Sequence, residues 1–422
     1  MPASVRLYGL PVGTLDVAND GRLSFQYDDD YSLSHSLSLA MPFSKDRYEH
    51  DAAGPFFDGL LPDNINVRKK LAAHFQLDVS DDYGLLYELG ADCPGAITIH
   101  PLAAEVIPEN RITPEYLVMS EAELAQHIRE LPQKPLFVDV DGEIRLSLAG
   151  VHNKAALVLV KKQLALPKGR TPTTHIVKVD IDGLPDSVKV EHFCLQIAAE
   201  LGIDAVRSDV RQAEDVTFLL INRYDRAIGD VDGTRYVRRL HQEDFCQALG
   251  RFPREKYEKE GGPGWKECFD LMRKTADPIT SITELLRRAI FQFLIGNPDA
   301  HAKNYSLVYK ADGTHLSKLY DVNNAAAYRE HYKEQRPRLA MFVGDERDPT
   351  LLTAENWTRF AKEVGITSDI VHSEIKRMAH RIGGTVHAVR ERIKGTIADT
   401  RLCDLVVEDV TMRSRQVMSW YP

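Results

Sequence analysis

The strongest structural signal in this 422-residue sequence is an amphipathic segment that ends in a tight cluster of polar residues. Ser281 and Glu284 stand at capping-box spacing, and Gly296 and Pro298 are typical of a helix end. The segment SITELLRRAIFQFLIGNP therefore predicts a buried helix from Ser281 to Gly296, followed at once by DAHAKN. Its apolar residues recur at the spacing of one helix face: Leu285, Leu286, Ala289, Ile290, Phe293 and Leu294.

The first part of the chain reads as a small α+β unit. Short strand patterns with glycine-containing turns cover residues 4–27, and apolar residues at helical spacing cover 67–75. Ser120 and Glu123 form a second capping box, which predicts the start of another helix. We therefore assign residues 1–130 to a first domain.

The rest of the chain changes from strand patterns to helical patterns. Residues 131–225 form a predicted β-rich lobe, with hairpins around Asp141-Gly142 and Lys161-Lys162, strands at 174–179 and 217–226, and one helix at 190–203 closed by Gly202. Residues 226–422 form a predicted helical lobe, in which helical patterns return at about 354–396. An α+β chain in this order, with a small unit, a β-rich lobe and a helical lobe, has the layout of a bilobed protein kinase.

Charge and cysteine content argue against several broad classes. The five cysteines show no paired spacing, which favours reduced thiols in a cytoplasmic protein over disulfides or a zinc site. A net charge of −9 argues against nucleic-acid binding by the whole surface, although a basic patch or partner could bring DNA near. No signal peptide is visible, and no apolar run approaches the roughly 18–20 residues of a membrane span.

The polar cluster after the helix has the residues that phosphoryl transfer requires. Asp299 and Asn304 stand at D-x₄-N spacing, so the carboxylate can take the proton of an acceptor hydroxyl while the amide oxygen binds Mg²⁺. Asp321, in LYDVNNA, is placed as a second metal ligand. A lone D-x₄-N is a weak signal, because a solvated loop gives the same pattern. Its position between a buried helix and the apolar YSLVY favours the catalytic interpretation.

A buried lysine and a glycine-poor loop are the candidates for binding phosphates. Lys178 lies within the predicted strand HIVKV, where it needs a charged partner, and Glu191 on the following helix is one; the alternative is an outward lysine on an edge strand. The loop between two strands could cradle phosphates with its backbone amides, or be a simple hairpin connection. Its residues are Ala149, Gly150, Val151, His152, Asn153 and Lys154. The sequence contains no P-loop, Rossmann, HExxH or G-x-S-x-G motif.

Several sequence blocks together resemble the HipA toxin kinases. FFDGLLPD, LSLAGVHNKAALV, PKGRTPTTHIVK, INRYDR, HQEDFCQALG, GGPG, LIGNPDAHAKNYSLVY, LYDV and RLAM occur in the order seen in that family, over about 55–342. The resemblance implies a serine/threonine protein kinase fold, ATP and Mg²⁺ as cofactors, and the role of a toxin that arrests growth. It also implies neutralisation by a HipB-like helix-turn-helix antitoxin and co-repression of the operon, with operator DNA contacted through the antitoxin.

The resemblance assigns roles to individual residues. Asp299 is implied as the catalytic aspartate, Asn304 and Asp321 as the Mg²⁺ ligands, and Ser147 as an autophosphorylation site. The implied ATP contacts, besides the phosphate loop and these ligands, are Lys178, Asn222, Arg223, Tyr224, Gln242, His301 and Lys303, of which Asn222 to Tyr224 form the adenine hinge.

The same resemblance leaves the substrate and two departures open, one of which is His152-Asn153 in the phosphate loop, where family members often read G-A-Q-E-K and this chain reads G-V-H-N-K. The best-known family target, glutamyl-tRNA synthetase, is an expectation, and the family's D-G-H-A-K-N carries Ala300 here in place of glycine. If position 300 requires a positive φ, alanine would be strained there. Two alternatives to an active toxin kinase are a co-repressor scaffold without turnover and a small-molecule phosphotransferase on the same fold.

Overall fold

The structure is a computed structural model, and it describes residues 2–31, 35–131, 154–231, 234–330 and 337–421. The chain divides into two compact units. The first contains Met1–Val179, Gln212–Arg254 and Ser306–Gly313, and the second contains Asp180–Arg211, Glu255–Tyr305 and Thr314–Pro422. Each unit thus collects segments that are far apart in sequence. The division into 1–130, 131–225 and 226–422 stays a prediction.

Strands and helices both contribute, so the predicted mixed α and β class is confirmed. The strands of the described residues are β1 (Ala3–Leu7), β2 (Leu10–Val17), β3 (Leu23–Tyr27), β4 (Ile97–Pro101), β5 (Glu115–Val118), β6 (Lys154–Val160), β7 (Gln163–Lys168), β8 (His175–Lys178), β9 (Ser208–Ala213), β10 (Val216–Asn222), β11 (Arg226–Val231), β12 (Thr234–Arg239), β13 (Gln242–Asp244), β14 (Ser306–Lys310) and β15 (Gly313–Leu316). The helices are α1 (His50–Asp58), α2 (Ile65–Phe75), α3 (Asp82–Leu89), α4 (Glu121–Glu130), α5 (Ser187–Glu200), α6 (Phe245–Ala248), α7 (Trp265–Met272), α8 (Pro278–Ile295), α9 (Ala354–Val364), α10 (Ser368–Ile393) and α11 (Leu402–Ser419).

Two antiparallel sheets form most of the first unit. One has the strand order β3-β2-β1-β4, and its apolar side chains share a core with α1, α2 and α3. The other contains β5, β7, β6, β8 and β10 in that order and packs α4 on one face. The β6–β7 turn at Lys161 and Lys162 has positive φ at both residues, 46° and 77°, so the predicted hairpin is confirmed. The hairpin around Asp141-Gly142 lies outside the described residues.

A buried network of charged side chains joins distant segments of the first unit. Asp92 lies 2.8 Å from Arg226, 3.1 Å from Arg239 and 3.4 Å from Arg223. Asp225 pairs with Arg223 at 2.7 Å. The side chain of Asp92 is 4% exposed, so water cannot replace these partners. The network therefore fixes the residues around 92 to those between 223 and 239.

The second unit is built around α8, whose predicted apolar face is fully buried. The helix starts at Pro278, so the predicted start at Ser281 is wrong. Asp277 caps it by accepting a hydrogen bond from the Thr280 amide at 3.2 Å, and proline suits the first helical turn. Ser281 lies inside the helix and accepts a hydrogen bond from Thr275 at 2.9 Å. The predicted end at Gly296, with φ of 76°, is confirmed.

The last three helices complete this unit. α10 packs against α5, α8, α9 and α11. The predicted helical region at about 354–396 is confirmed as α9 and α10, whereas α11 was not predicted. All five cysteines are free and buried, as expected for reduced thiols. Within the described part of the chain, no helix is both long and apolar enough to cross a membrane.

Replacing Asp92 with asparagine is expected to destabilise the protein by about 3–5 kcal/mol, because it leaves buried guanidinium charges uncompensated. Burial would raise the pKa of Asp92, but Arg226, Arg239 and Arg223 outweigh that effect and hold the pKa below its usual range. The native carboxylate therefore contributes stability that is present above the unfolded-state pKa of about 4 and is lost as the pH falls below it. Urea unfolding of Asp92→Asn and wild type, repeated at several pH values, measures both effects.

The control is Asp20→Asn, which removes an ion pair to Arg22 from a carboxylate that is 59% exposed. That substitution should cost at most about 1 kcal/mol, since exposed ion pairs contribute little. Equal losses in the two variants would show that the Asp92 network does not stabilise the first unit.

Candidate active site

The loop after α8 holds Asp299 in a fixed position. The Asn297 side chain accepts a hydrogen bond from the Asp299 amide at 3.1 Å and donates one to Gln292 at 3.0 Å. Asn304 closes the loop, because its side-chain nitrogen donates to the Asp299 carbonyl at 2.7 Å. Asn297 and Asn304 are both buried, whereas the Asp299 side chain is 50% exposed. The loop therefore presents one carboxylate from an otherwise buried frame.

Two aromatic rings flank this carboxylate. The Tyr257 hydroxyl donates a hydrogen bond of 2.5 Å to Asp299 Oδ1. His301 Nε2 lies 3.9 Å from the same oxygen, and the Tyr257 and His301 rings meet edge to face at 5.0 Å between centroids. The Ala302 amide also donates to the Lys256 carbonyl at 3.4 Å. The segment at 256–257 is thus attached to the loop by side-chain and main-chain contacts.

Asn304 and Asp321 offer the oxygen atoms that Mg²⁺ prefers. Because the Asn304 nitrogen is bound to Asp299, the orientation of its amide oxygen is set. Asp321 adopts a left-handed conformation with φ of 57°, and the neighbouring Tyr320 hydroxyl donates to the Lys303 carbonyl at 2.9 Å. The residue types therefore fit a magnesium ion. Among the described residues, no group of three or more His, Cys, Asp or Glu side chains could hold a metal, so phosphate or water oxygens would have to complete the coordination.

A buried cluster of side chains connects the start of the Asp299 loop and the segment after Asp321 to α11. Asn324 donates to the Ile295 carbonyl at 2.5 Å and to Asp409 at 2.9 Å. Asp409 also accepts a hydrogen bond from Arg413, one turn further along α11. Gly296 lies directly against Asp409 and Arg413. Because glycine has no side chain, there is room for the Arg413 guanidinium. We name Gly296, Asn324, Asp409 and Arg413 the α11 junction.

In the first unit, Lys154 and Lys178 lie side by side. They are directly opposed residues of β6 and β8, so their side chains emerge on the same face of the sheet. Ala155 and Val177, which point the other way, pack against α4. Lys178 is 6% exposed, which agrees with the predicted buried lysine rather than an outward one. Glu191 is buried in α5, and its pairing with Lys178 stays a prediction.

Two of the predicted ATP contacts meet at the end of β10. The Tyr224 hydroxyl donates to the Gln242 side chain at 2.8 Å, while Asn222 is exposed. The Arg223 side chain is instead held in the Asp92 network, and its amide donates to the Thr174 carbonyl at 3.1 Å. The Arg223 side chain therefore has a structural role. The hinge role of Asn222, Arg223 and Tyr224 stays a prediction.

Ser147 and the phosphate-loop residues 149–153 fall outside the described residues. Ala300 is described, and it is not among the residues with positive φ, so alanine fits there without strain. Lys303 is buried in the same loop as Asp299.

Sequence reasoning missed Tyr257 and the α11 junction. Tyr257 lies in a stretch without helical or strand periodicity, and its partner Asp299 is far along the chain. Asn324 stands in the quoted LYDVNNA but was not singled out. The spacing of Asp409 and Arg413, one helical turn apart, is a signal that could have indicated a pair on α11.

Comparisons with known proteins agree on one family. Residues 3–100 match the HipA N-terminal domain, and residues 146–386 match the HipA-like C-terminal domain. A Sinorhizobium fredii protein whose name describes it as a kinase, Y4mE, is 35% identical over 97% of this chain and 96% of its own length. The serine/threonine-protein kinase toxin HipA of Shewanella oneidensis is 30% identical over 78% of this chain and 75% of its own length.

The fold has a solved relative as well. The Shewanella oneidensis complex of HipA, HipB and operator DNA contains a chain that superposes with a TM-score of 0.84 at 26% identity. The match covers 99% of this chain and 97% of that chain. The predicted kinase-like α+β fold is thereby confirmed.

Gly296→Ala is expected to destabilise the protein more than Gly395→Ala, although both glycines have a left-handed conformation, with φ of 76° and 73°. Each alanine should cost about 1–2 kcal/mol for that conformation. At 296 the new Cβ would also lie 2.2 Å from an Arg413 nitrogen and 2.8 Å from Asp409, which should add about 1–3 kcal/mol of overpacking.

Urea unfolding of both variants measures the difference. Nothing lies within 4 Å of a Cβ at 395, so this control isolates the backbone effect. Equal destabilisation would show that the α11 junction adapts freely to a side chain at 296.

Proposed function

We propose a protein kinase activity for this chain, which belongs to the HipA family of serine/threonine-protein kinase toxins. In this proposal it transfers the γ-phosphoryl group of ATP to a serine or threonine of another protein. The observation that carries the proposal is the closed Asp299 loop, in which Asn304 binds the Asp299 carbonyl and the carboxylate is left half-exposed. A loop of this kind supplies a proton acceptor and a metal ligand in one rigid piece.

Each residue has a distinct role in the transfer. Asp299 takes the proton of the acceptor hydroxyl as that oxygen bonds to phosphorus and the bond to ADP breaks. Asn304 and Asp321 hold Mg²⁺, which neutralises charge on the phosphate oxygens when it is bound. Lys178 and Lys154 bring positive charge to the phosphates from adjacent strands, and their shared sheet face supports this role. Tyr224 and Gln242, which are hydrogen-bonded to each other, contact the nucleotide.

Regulation is proposed to follow the family pattern. Autophosphorylation of Ser147 would add roughly −1.5 to −2 charge within the phosphate loop, where ATP phosphates must also bind, and so would stop the reaction. A HipB-like antitoxin is the proposed partner, since the solved relative is a complex of HipA, HipB and operator DNA. Co-repression of the operon through that partner is proposed as well, since operator DNA is part of the same solved complex. Glutamyl-tRNA synthetase is a proposed substrate from family resemblance alone.

Incubation with Mg·ATP is expected to add phosphate to the wild-type protein, with the modified residue mapped to Ser147. Asp299→Ala should gain none, because it lacks the group that accepts the hydroxyl proton. Intact-mass measurement before and after incubation, starting from phosphatase-treated protein, gives the result. Unchanged phosphate transfer by Asp299→Ala would refute the catalytic assignment, and no gain by the wild type would favour a co-repressor scaffold.

Tyr257→Phe is expected to lower kcat about tenfold and leave the KM for ATP unchanged. The lost hydroxyl fixes the orientation of the Asp299 carboxylate, and orientation errors at a reacting group reduce the rate rather than nucleotide binding. Steady-state kinetics over a range of ATP concentrations separates the two constants. Tyr116→Phe is the control, because that side chain is 42% exposed on β5. A kcat equal to that of the control would show that Tyr257 does not position Asp299.

A further inference from the structure

A cavity of about 310 Å³ lies inside the second unit, next to the start of the Asp299 loop. Its walls are mostly small and apolar, and they include Pro298, Ala325, Ala326, Leu339 and Pro349. This volume is at the lower end of the range for ligand pockets, roughly 300–1,000 Å³, and it suits one or two side chains. No role assigned above uses this space.

The cavity is close to the reacting group along the chain. Pro298 directly precedes Asp299, and consecutive Cα atoms are about 3.8 Å apart. The Ala325 amide donates to the Gly296 carbonyl at 3.1 Å, so the two walls are joined by the main chain. An extended peptide advances by roughly 3.3 Å per residue. Three residues of extended peptide therefore span roughly 10 Å, which is the reach assumed here for an acceptor whose hydroxyl lies at Asp299.

Positively charged side chains outnumber negatively charged ones around the cavity, since three arginines and two aspartates line it. Arg329 and Arg338 line it and are exposed, and neither makes a hydrogen bond or an ion pair with another described residue. The other charged groups are already engaged. Arg413 is paired with Asp409, and Asp348 accepts hydrogen bonds from the Thr350 amide and hydroxyl at 2.9 and 2.7 Å. An acidic group entering the cavity mouth would therefore meet two available cations.

We propose that this cavity is the acceptor-specificity pocket of the kinase. It takes an apolar side chain within three residues of the phosphorylated serine or threonine, and Arg329 and Arg338 bind an acidic residue nearby. The inference rests on the proposed kinase function. The chain's own sequence at the predicted modification site has this chemistry in part: in GEIRLSLAG, Ser147 is flanked by Leu146 and Leu148, and the acidic Glu143 and the basic Arg145 precede it.

The test uses a synthetic peptide, DGEIRLSLAGV, with the sequence of residues 141–151, as the phosphate acceptor. The enzyme is the full chain carrying Ser147→Ala, so that autophosphorylation does not interfere. The double variant Arg329→Glu/Arg338→Glu should raise the KM for the peptide at least tenfold and leave peptide-independent ATP hydrolysis unchanged. Arg401→Glu, an exposed arginine at the start of α11, is the matched charge-reversal control and should leave both values unchanged.

Changes in the peptide test the same contacts from the other side. A peptide with Glu143→Lys should be a poorer acceptor for the parent enzyme and a better one for the double variant. A peptide with alanine in place of both leucines should have a raised KM with the parent enzyme and with Arg401→Glu. These reciprocal effects cannot arise from a misfolded enzyme.

The outcomes separate the two proposals. If the parent enzyme hydrolyses no ATP and phosphorylates nothing, the proposed function itself is wrong. If it phosphorylates the peptide but the double variant keeps the same KM, the kinase assignment stands and the pocket assignment is wrong. If charge reversal raises the KM without rescue by the Glu143→Lys peptide, the arginines do not bind the acidic residue.

Discussion

The candidate active site depends on the hydrogen bonds that the buried carboxylate of Asp409 accepts. This carboxylate accepts hydrogen bonds from Arg413 and from Asn324, and Asn324 also binds the last carbonyl of α8. The end of α8, the residues after Asp321 and the middle of α11 are therefore held by one cluster. In the proposed phosphoryl transfer a displacement of about 1 Å would be costly, so we expect this cluster to affect the rate without touching the reactants. Glycine at 296 suits this arrangement, because a Cβ there would lie 2.2 Å from an Arg413 nitrogen and 2.8 Å from an Asp409 oxygen.

In the first unit, a larger cluster of buried charged side chains likewise joins distant segments. Asp92, Asp225 and Glu109 balance Arg223, Arg226 and Arg239, and all these side chains are buried. Balanced buried ion pairs add little net stability compared with apolar packing, yet the loss of one member is costly. Such a network therefore specifies one arrangement of its segments. It also holds the Arg223 side chain, whereas Asn222 is exposed and Tyr224 is hydrogen-bonded to Gln242.

The parts of the fold that sequence predicted are those governed by local periodicity or turn chemistry. The apolar face of α8, its end at Gly296 and the Lys161-Lys162 hairpin all follow from patterns within a few residues. The start of α8 was misplaced because Ser281 and Glu284 have capping-box spacing, while Asp277-Pro278 provides the actual cap and first turn. The D-x₄-N spacing after α8 and the resemblance to a kinase family both indicated the Asp299 loop, but Tyr257 and Asp409 act through contacts between distant segments. Those contacts are set by tertiary packing, so no pattern within a few residues of the sequence predicts them.

Positions 300 and 321 place different backbone requirements on their residues. The backbone at Ala300 does not have a positive φ, so glycine is not required there. The left-handed conformation occurs instead at Asp321, with φ of 57°, and aspartate tolerates it better than most residues because its short polar side chain can bond locally. Glycine would satisfy this backbone but would supply no metal ligand, and a larger carboxylate such as glutamate would be strained. The backbone conformation at 321 and the proposed role as a metal ligand are thus separate requirements, and aspartate suits both.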